Sequence, residues 1–131
     1  MAGDVRPEVL SAGQGQQETW DDPVKGKVSF VTTFSSGATA TTGLTAGVSE
    51  LAPEGWLGLH RHTPPEVYYV LEGEGLVVID GAEHPVSAGS AVFIPGDAEH
   101  GIRNTGSQTL RFHYTFPVDS LQEVDYRFSE G

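Results

Sequence analysis

Apolar side chains recur at every second position in short runs along most of this chain, and glycine, proline or aspartate separates the runs. Residues 27–34 (KVSFVTTF) are β-branched and aromatic and predict a strand. Further strands are expected at 56–62 (WLGLHRH), along VYYVL from about Glu66, at 76–80 (LVVID) and at 82–86. Asp80-Gly81 between the last two is a hairpin signal. Short strands follow at 91–94 and 100–104. Residues 110–116 (LRFHYTF) alternate so that Leu110, Phe112, Tyr114 and Phe116 share one face, expected to be buried. The stretch 38–51, rich in Thr, Ala and Gly, reads either as an edge strand or as an arm packed on a second subunit. Residues 120–124 predict a helical turn and 125–129 a last extended piece. No stretch carries a convincing helical period. Many short strands with glycine and proline between them predict an all-β barrel or sandwich.

The first 26 residues are polar and turn-rich, which predicts an N-terminal extension over 1–26, loose at first and ordered near Trp20. A single domain is expected over 27–131, long enough for one hydrophobic core. The formal charge of −11 argues against nucleic acid and against anionic membrane surfaces as partners. An anionic substrate would therefore need a local positive centre. Without cysteine there is no disulfide framework, thiol chemistry or zinc–thiolate site. No apolar run approaches the length of a membrane span. The opening MAGDVRPEVL lacks the basic and apolar regions of a secretory signal, so a cytoplasmic protein is expected.

Two stretches carry chemistry: HRHTPPEVYYVLEGEG at 60–75 and GSAVFIPGDAEHGIRN at 89–104. In an extended strand, positions i and i+2 share a face, so His60 and His62 point the same way. Pro64 and Pro65 lack backbone donors and force a turn, after which Glu66, Tyr68 and Val70 share the next strand's inner face. Three ligands are thus expected from two adjacent strands. His100, after the turn at Pro95-Gly96, is placed to close the set from a third. Three imidazoles and one carboxylate suit a divalent transition metal, and iron, manganese, nickel, cobalt and zinc all accept that set. Tyr68 shares the ligand face, so positive charge beside it would make its phenolate a general base; the plainer reading is an aromatic that fills the barrel.

These stretches resemble the paired motifs of the cupin superfamily. The first family motif runs glycine, HxH, glutamate, glycine, and His60, His62, Glu66 and Gly73 stand at its intervals. Its leading glycine is displaced by one place: Glu54 holds the position and Gly55 follows. The second is matched by Gly89, Pro95, His100 and Asn104, with Asp97 where the family has a second glycine. The resemblance spans about 27–118. It implies a cupin double-stranded β-helix, a jelly-roll-like barrel holding one metal ion on His60, His62, Glu66 and His100. It also implies a homodimer. The two apolar faces of VYYVL are compatible with a dimer and equally with a two-sheet core.

A narrower resemblance is to small single-domain cupin lyases that cleave dimethylsulfoniopropionate to acrylate and dimethyl sulfide. These carry one tyrosine two positions after the ligand glutamate and another near the C-terminus, where this chain has Tyr68 and Tyr126. By that resemblance the metal binds the substrate carboxylate, Tyr68 removes the α-proton and Tyr126 helps hold the substrate. Two other readings stay open: an iron- or manganese-dependent dioxygenase or oxidase, and a non-catalytic cupin that binds a metal or small ligand. His84 is expected to be exposed, His113 lies outside the proposed site, and Arg103 and Arg111 read as solvated charges. Trp20 and Trp56 read as packing residues near the pocket rim.

Overall fold

The computed structural model describes residues 4–11 and 13–129. Among the described residues the strands are β1 (Gln16–Asp22), β2 (Gly26–Phe34), β3 (Thr45–Leu51), β4 (Trp56–Arg61), β5 (Glu66–Glu72), β6 (Glu74–Ile79), β7 (Ala82–Ser87), β8 (Ala91–Ile94), β9 (His100–Asn104), β10 (Leu110–Phe116) and β11 (Arg127–Phe128). One 3₁₀ turn, Leu121–Glu123, precedes β11. Every strand pairing is antiparallel, and the neighbour order is β7-β6-β9-β4-β2-β3-β10-β5-β8, with β1 on β2 and β11 on β4. The sheet curls on itself. β4 and β5 lie four places apart in that order, yet Glu66 on β5 reaches within 3.1 Å of His62 beside β4. The all-β expectation therefore holds, as a jelly-roll-like barrel.

The alternation read along the chain sets which side chains fill the barrel. On β10, Leu110, Phe112, Tyr114 and Phe116 are buried, and the residues between them only partly so. On β5, Glu66, Tyr68 and Val70 face inward. Tyr68 packs on Phe112 with ring centroids 4.5 Å apart. Leu51, Val70, Ile94, Leu110 and Phe112 are fully buried, and each such side chain stabilises the fold by ~1.5–3 kcal/mol relative to exposure. The outer residues of β5, Val67, Tyr69 and Leu71, remain exposed together with Phe93 of β8. Their face is thus not the inside of a two-sheet core.

Three sequence expectations need correction. Within the stretch 38–51, residues 45–51 are not an edge strand: they form β3, which lies between β2 and β10, with Thr45, Ser49 and Leu51 buried. Its small residues are there for close approach, since a Cβ on Gly47 would lie 2.1 Å from the Val31 carbonyl oxygen. Order begins before Trp20, because β1 pairs with β2 from Gln16 onward. And β4 and β5, consecutive in the chain, are not neighbours in the sheet.

The turns explain both departures from the family glycines. Glu54 has φ +70° and Asp97 has φ +63°, the left-handed region that a glycine adopts freely. Asp97 N donates to His62 O at 2.9 Å, tying the second motif's turn to the histidine pair of the first. Asp80 and Gly81 also both have positive φ, the backbone of a tight hairpin turn. Asn104 is structural: its Nδ2 donates to Leu51 O and Gln108 O and its Oδ1 accepts from Gly106 N.

Candidate active site

Three strands bring the site together. A register shift between Leu57 and His60, where β4 runs along β9, sets His60 opposite His100. Such irregularities re-aim side chains, and here the displaced Gly58 carbonyl accepts from His60 Nδ1 at 2.7 Å. His62 follows the end of β4, and its Nδ1 lies 2.8 Å from Pro64 O in the proline turn. His100 opens β9, with Nδ1 2.9 Å from Ala98 O. A carbonyl oxygen only accepts, so all three Nδ1 atoms carry the proton and all three Nε2 atoms present a lone pair. Ring centroids are 5.4 Å apart for His60 and His62, 4.2 Å for His60 and His100, and 4.8 Å for His62 and His100. The ligand nitrogens of the three lie within 4.8 Å of one another, and none of the rings is more than 1 % exposed.

Glu66 points at the same space from β5. Its Oε1 lies 3.1 Å from His62 Nε2 and 3.4 Å from His100 Nε2. The second contact lacks hydrogen-bond geometry, which leaves His100 Nε2 buried without a partner. With His62 neutral, lone pairs thus converge in a buried space with no donor among them. A cation satisfies that arrangement, and the hydrogen-bonded Nδ1 atoms are the supports that metal-bound histidines use to fix their tautomer. The donor set fits a divalent metal.

Burial and close neighbours shift the ionisable groups of the site. Burial and the neighbouring His100 lower the His60 pKa to about 3, so its imidazole is neutral at pH 7. For His62 burial acts downward too, but Glu66 together with the Pro64 carbonyl and its own backbone raises the value. Tyr68 is pushed well above 10 by burial and by Glu66.

Aromatic side chains wall the narrow cavity beside the histidines: Trp20, Phe30, Tyr68, Phe112, Tyr114 and Tyr126, with His60 and Glu66 also on its surface. No lysine or arginine lines it. Tyr126, carried by the C-terminal segment, lies with its ring 5.6 Å from both His60 and His62. Its hydroxyl too is pushed well above 10, by burial and by Glu66. Trp20 meets Tyr126 edge-on at 5.8 Å. Of the residues expected in the site, His60, Glu66, Tyr68 and Tyr126 line this cavity, and His62 and His100 lie against His60. Trp20 lines it as well, where the sequence pointed only to packing near the rim; Trp56 does not. Phe128, absent from the sequence-based site, is the cross-strand partner of His60, with rings 5.2 Å apart. Nothing in a two-residue strand far along the chain signals that pairing. His84 is exposed, and His113 lies outside the cavity, partly buried, where burial lowers its pKa. Arg103 is exposed, and Arg111 pairs with Glu50 at 2.8 Å and Glu72 at 3.3 Å.

A family model for the cupin domain matches residues 47–116, more than half of the chain. The chain belongs to the cupin family. Among the relatives of this cupin, the dimethylsulfoniopropionate lyase DddW of Ruegeria pomeroyi is 44% identical over 123 residues, which cover 94% of this chain and 80% of the relative. An oxalate-binding protein of Thermotoga maritima is 30% identical over 112 residues, covering 85% and 86% of the two chains. Among solved structures, the polyketide cyclase RemF of Streptomyces resistomycificus superposes with a TM-score of 0.78 over 96% of this chain and 87% of that one, at 23% identity, and shares the fold. Among the described residues of this cupin, no helix is long and apolar enough to cross a membrane.

Proposed function

We propose that this cupin is a metal-dependent lyase that cleaves dimethylsulfoniopropionate to acrylate and dimethyl sulfide. The observation that carries the reading is the 44% identity to DddW over 94% of the chain. The residues named from both motifs meet at one buried point beside a cavity, which supports it.

His60, His62, His100 and Glu66 would hold the metal. Bound there, a divalent ion supplies Lewis acidity toward a substrate carboxylate and acidifies the adjacent C–H bond. Three neutral imidazoles and one carboxylate leave that centre a net charge of about +1, the positive centre that an anionic group needs in a chain of charge −11. The aromatic walls suit the other end of the substrate, because a sulfonium is attracted to ring faces and finds no lysine or arginine in this cavity to repel it.

Tyr68 is the base. Burial holds its hydroxyl protonated when the site lacks positive charge, and a cation in the site favours the phenolate. The phenolate takes the α-proton, the C–H electrons form the Cα–Cβ double bond, and the Cβ–S bond breaks with its electron pair leaving on dimethyl sulfide. Tyr126 closes the cavity over the histidines and keeps the substrate chain near Tyr68. The decisive experiment is headspace dimethyl sulfide from metal-loaded protein, run with and without dioxygen. Release independent of oxygen is expected; an absolute oxygen requirement would assign the site to oxygenase chemistry instead.

We also infer a homodimer. The exposed apolar row of Val67, Tyr69, Leu71 and Phe93 on the outer sheet face supports it. Light scattering on the Phe93→Glu variant tests this: the wild type should have twice the monomer mass, and the variant the monomer mass.

A further inference from the structure

Tyr126 is held from both sides. After it, β11 pairs with β4 at Arg127 and Phe128, and Ser129 N donates to Leu59 O at 2.9 Å. Before it stands Asp125, an exposed residue whose carboxylate reaches across the fold to Thr63. Its Oδ1 accepts from Thr63 N at 2.8 Å and its Oδ2 from Thr63 Oγ1 at 2.9 Å. Thr63 is the residue directly after His62. The carboxylate thus grips the backbone and the side chain of the loop that carries a ligand histidine. Arg127 Nε also approaches its Oδ2, at 3.5 Å.

The position of that grip matters because of what Tyr126 separates. Its ring faces His60 and His62 on the inside. On the outside, with Trp20 and Phe30, it also lines a second recess formed by Gln16, Glu18 and Gln122. Tyr126, with Trp20 and Phe30, thus separates the inner cavity from this outer recess. A two-residue strand is a weak anchor by itself, and a tyrosine on an exposed segment would otherwise sample several positions.

We propose that Asp125 is a positioning residue, whose double hydrogen bond to Thr63 sets where Tyr126 sits over the imidazoles. The proposal rests on the lyase reading for its activity arm. Fixing a substrate-contacting group to within an ångström is worth up to ~100-fold in rate, and two hydrogen bonds to an exposed carboxylate hold only part of that.

The test uses the full-length, metal-loaded protein. Asp125→Ala should lower kcat/KM for dimethylsulfoniopropionate about tenfold, with bound metal and melting temperature unchanged. Hydrogen exchange of the amides of Arg127, Phe128 and Ser129 should be roughly tenfold faster in the variant. In a Tyr126→Phe background the same substitution should change kcat/KM less than about twofold, because positioning then has lost its object. Unchanged exchange in Asp125→Ala would overturn the proposal. So would an undiminished tenfold loss in the Tyr126→Phe background, which would assign Asp125 a general structural role. If the wild type releases no dimethyl sulfide, the lyase reading fails, while the exchange measurement still decides whether the grip holds Tyr126 in place.

Discussion

His62 Nε2 and Glu66 Oε1 face each other at 3.1 Å, each presenting a lone pair, because the proton of His62 is committed to Pro64 O. A proton or a metal ion must sit between them for the arrangement to be stable. The same two residues stand on opposite walls of the barrel, so whatever bridges them also cross-links the fold.

Removing one ligand should therefore weaken metal binding far beyond the loss of a supporting hydrogen bond, which itself costs ~10–100-fold. His100→Ala is expected to bind zinc or iron(II) more than ~100-fold more weakly by isothermal titration calorimetry. Chelator treatment of the wild type should lower its melting temperature, since an ion bound only by the native state stabilises it.

Tyr68→Phe removes the base without touching a ligand. Turnover of dimethylsulfoniopropionate should fall ~100- to 10,000-fold, with one metal ion per chain still present by elemental analysis. Wild-type turnover in the variant would remove Tyr68 from the mechanism.

The metal-free protein should lose stability in acid. The His60 pKa is about 3 in the folded chain against 6.5 as a free side chain. The unfolded state therefore binds the extra proton between those values, and stability falls as pH falls through that window, by up to ~1.4 kcal/mol per pH unit. His62, whose value is raised, acts in the opposite sense: its contribution is present below 6.5 and is lost as pH rises through its folded value. His60→Gln should flatten the acid limb in urea titrations of chelator-treated protein; an unchanged limb would contradict this origin.

Phe112 is fully buried against Tyr68. Phe112→Ala should cost ~3–5 kcal/mol in denaturant unfolding, and should disturb the site through the tyrosine it supports. A loss below ~1 kcal/mol would mean that the barrel collapses to fill the space.

Glu54 is exposed at φ +70°. Glu54→Gly relieves a left-handed backbone cost of ~1–2 kcal/mol and returns part of it as chain entropy. A net gain of ~0.5–1 kcal/mol is expected in thermal unfolding.

The strands and the ligands were legible along the chain because both depend on local periodicity. Alternation placed Leu110, Phe112, Tyr114 and Phe116 on one face, and the same rule put His60 beside His62 and Tyr68 beside Glu66. Turn residues marked most boundaries, since proline and glycine act on the backbone where they stand. Which strands are neighbours is a different kind of information. β3 looked peripheral because its residues are small, yet smallness is what a strand enclosed between β2 and β10 requires. The meeting of β4 with β5 across the barrel, the pairing of Phe128 with His60, and the place of Trp20 in the cavity wall all join residues far apart in the chain. No local pattern encodes such contacts; they arise when the sheet curls and strands distant in its order bury their inner faces together.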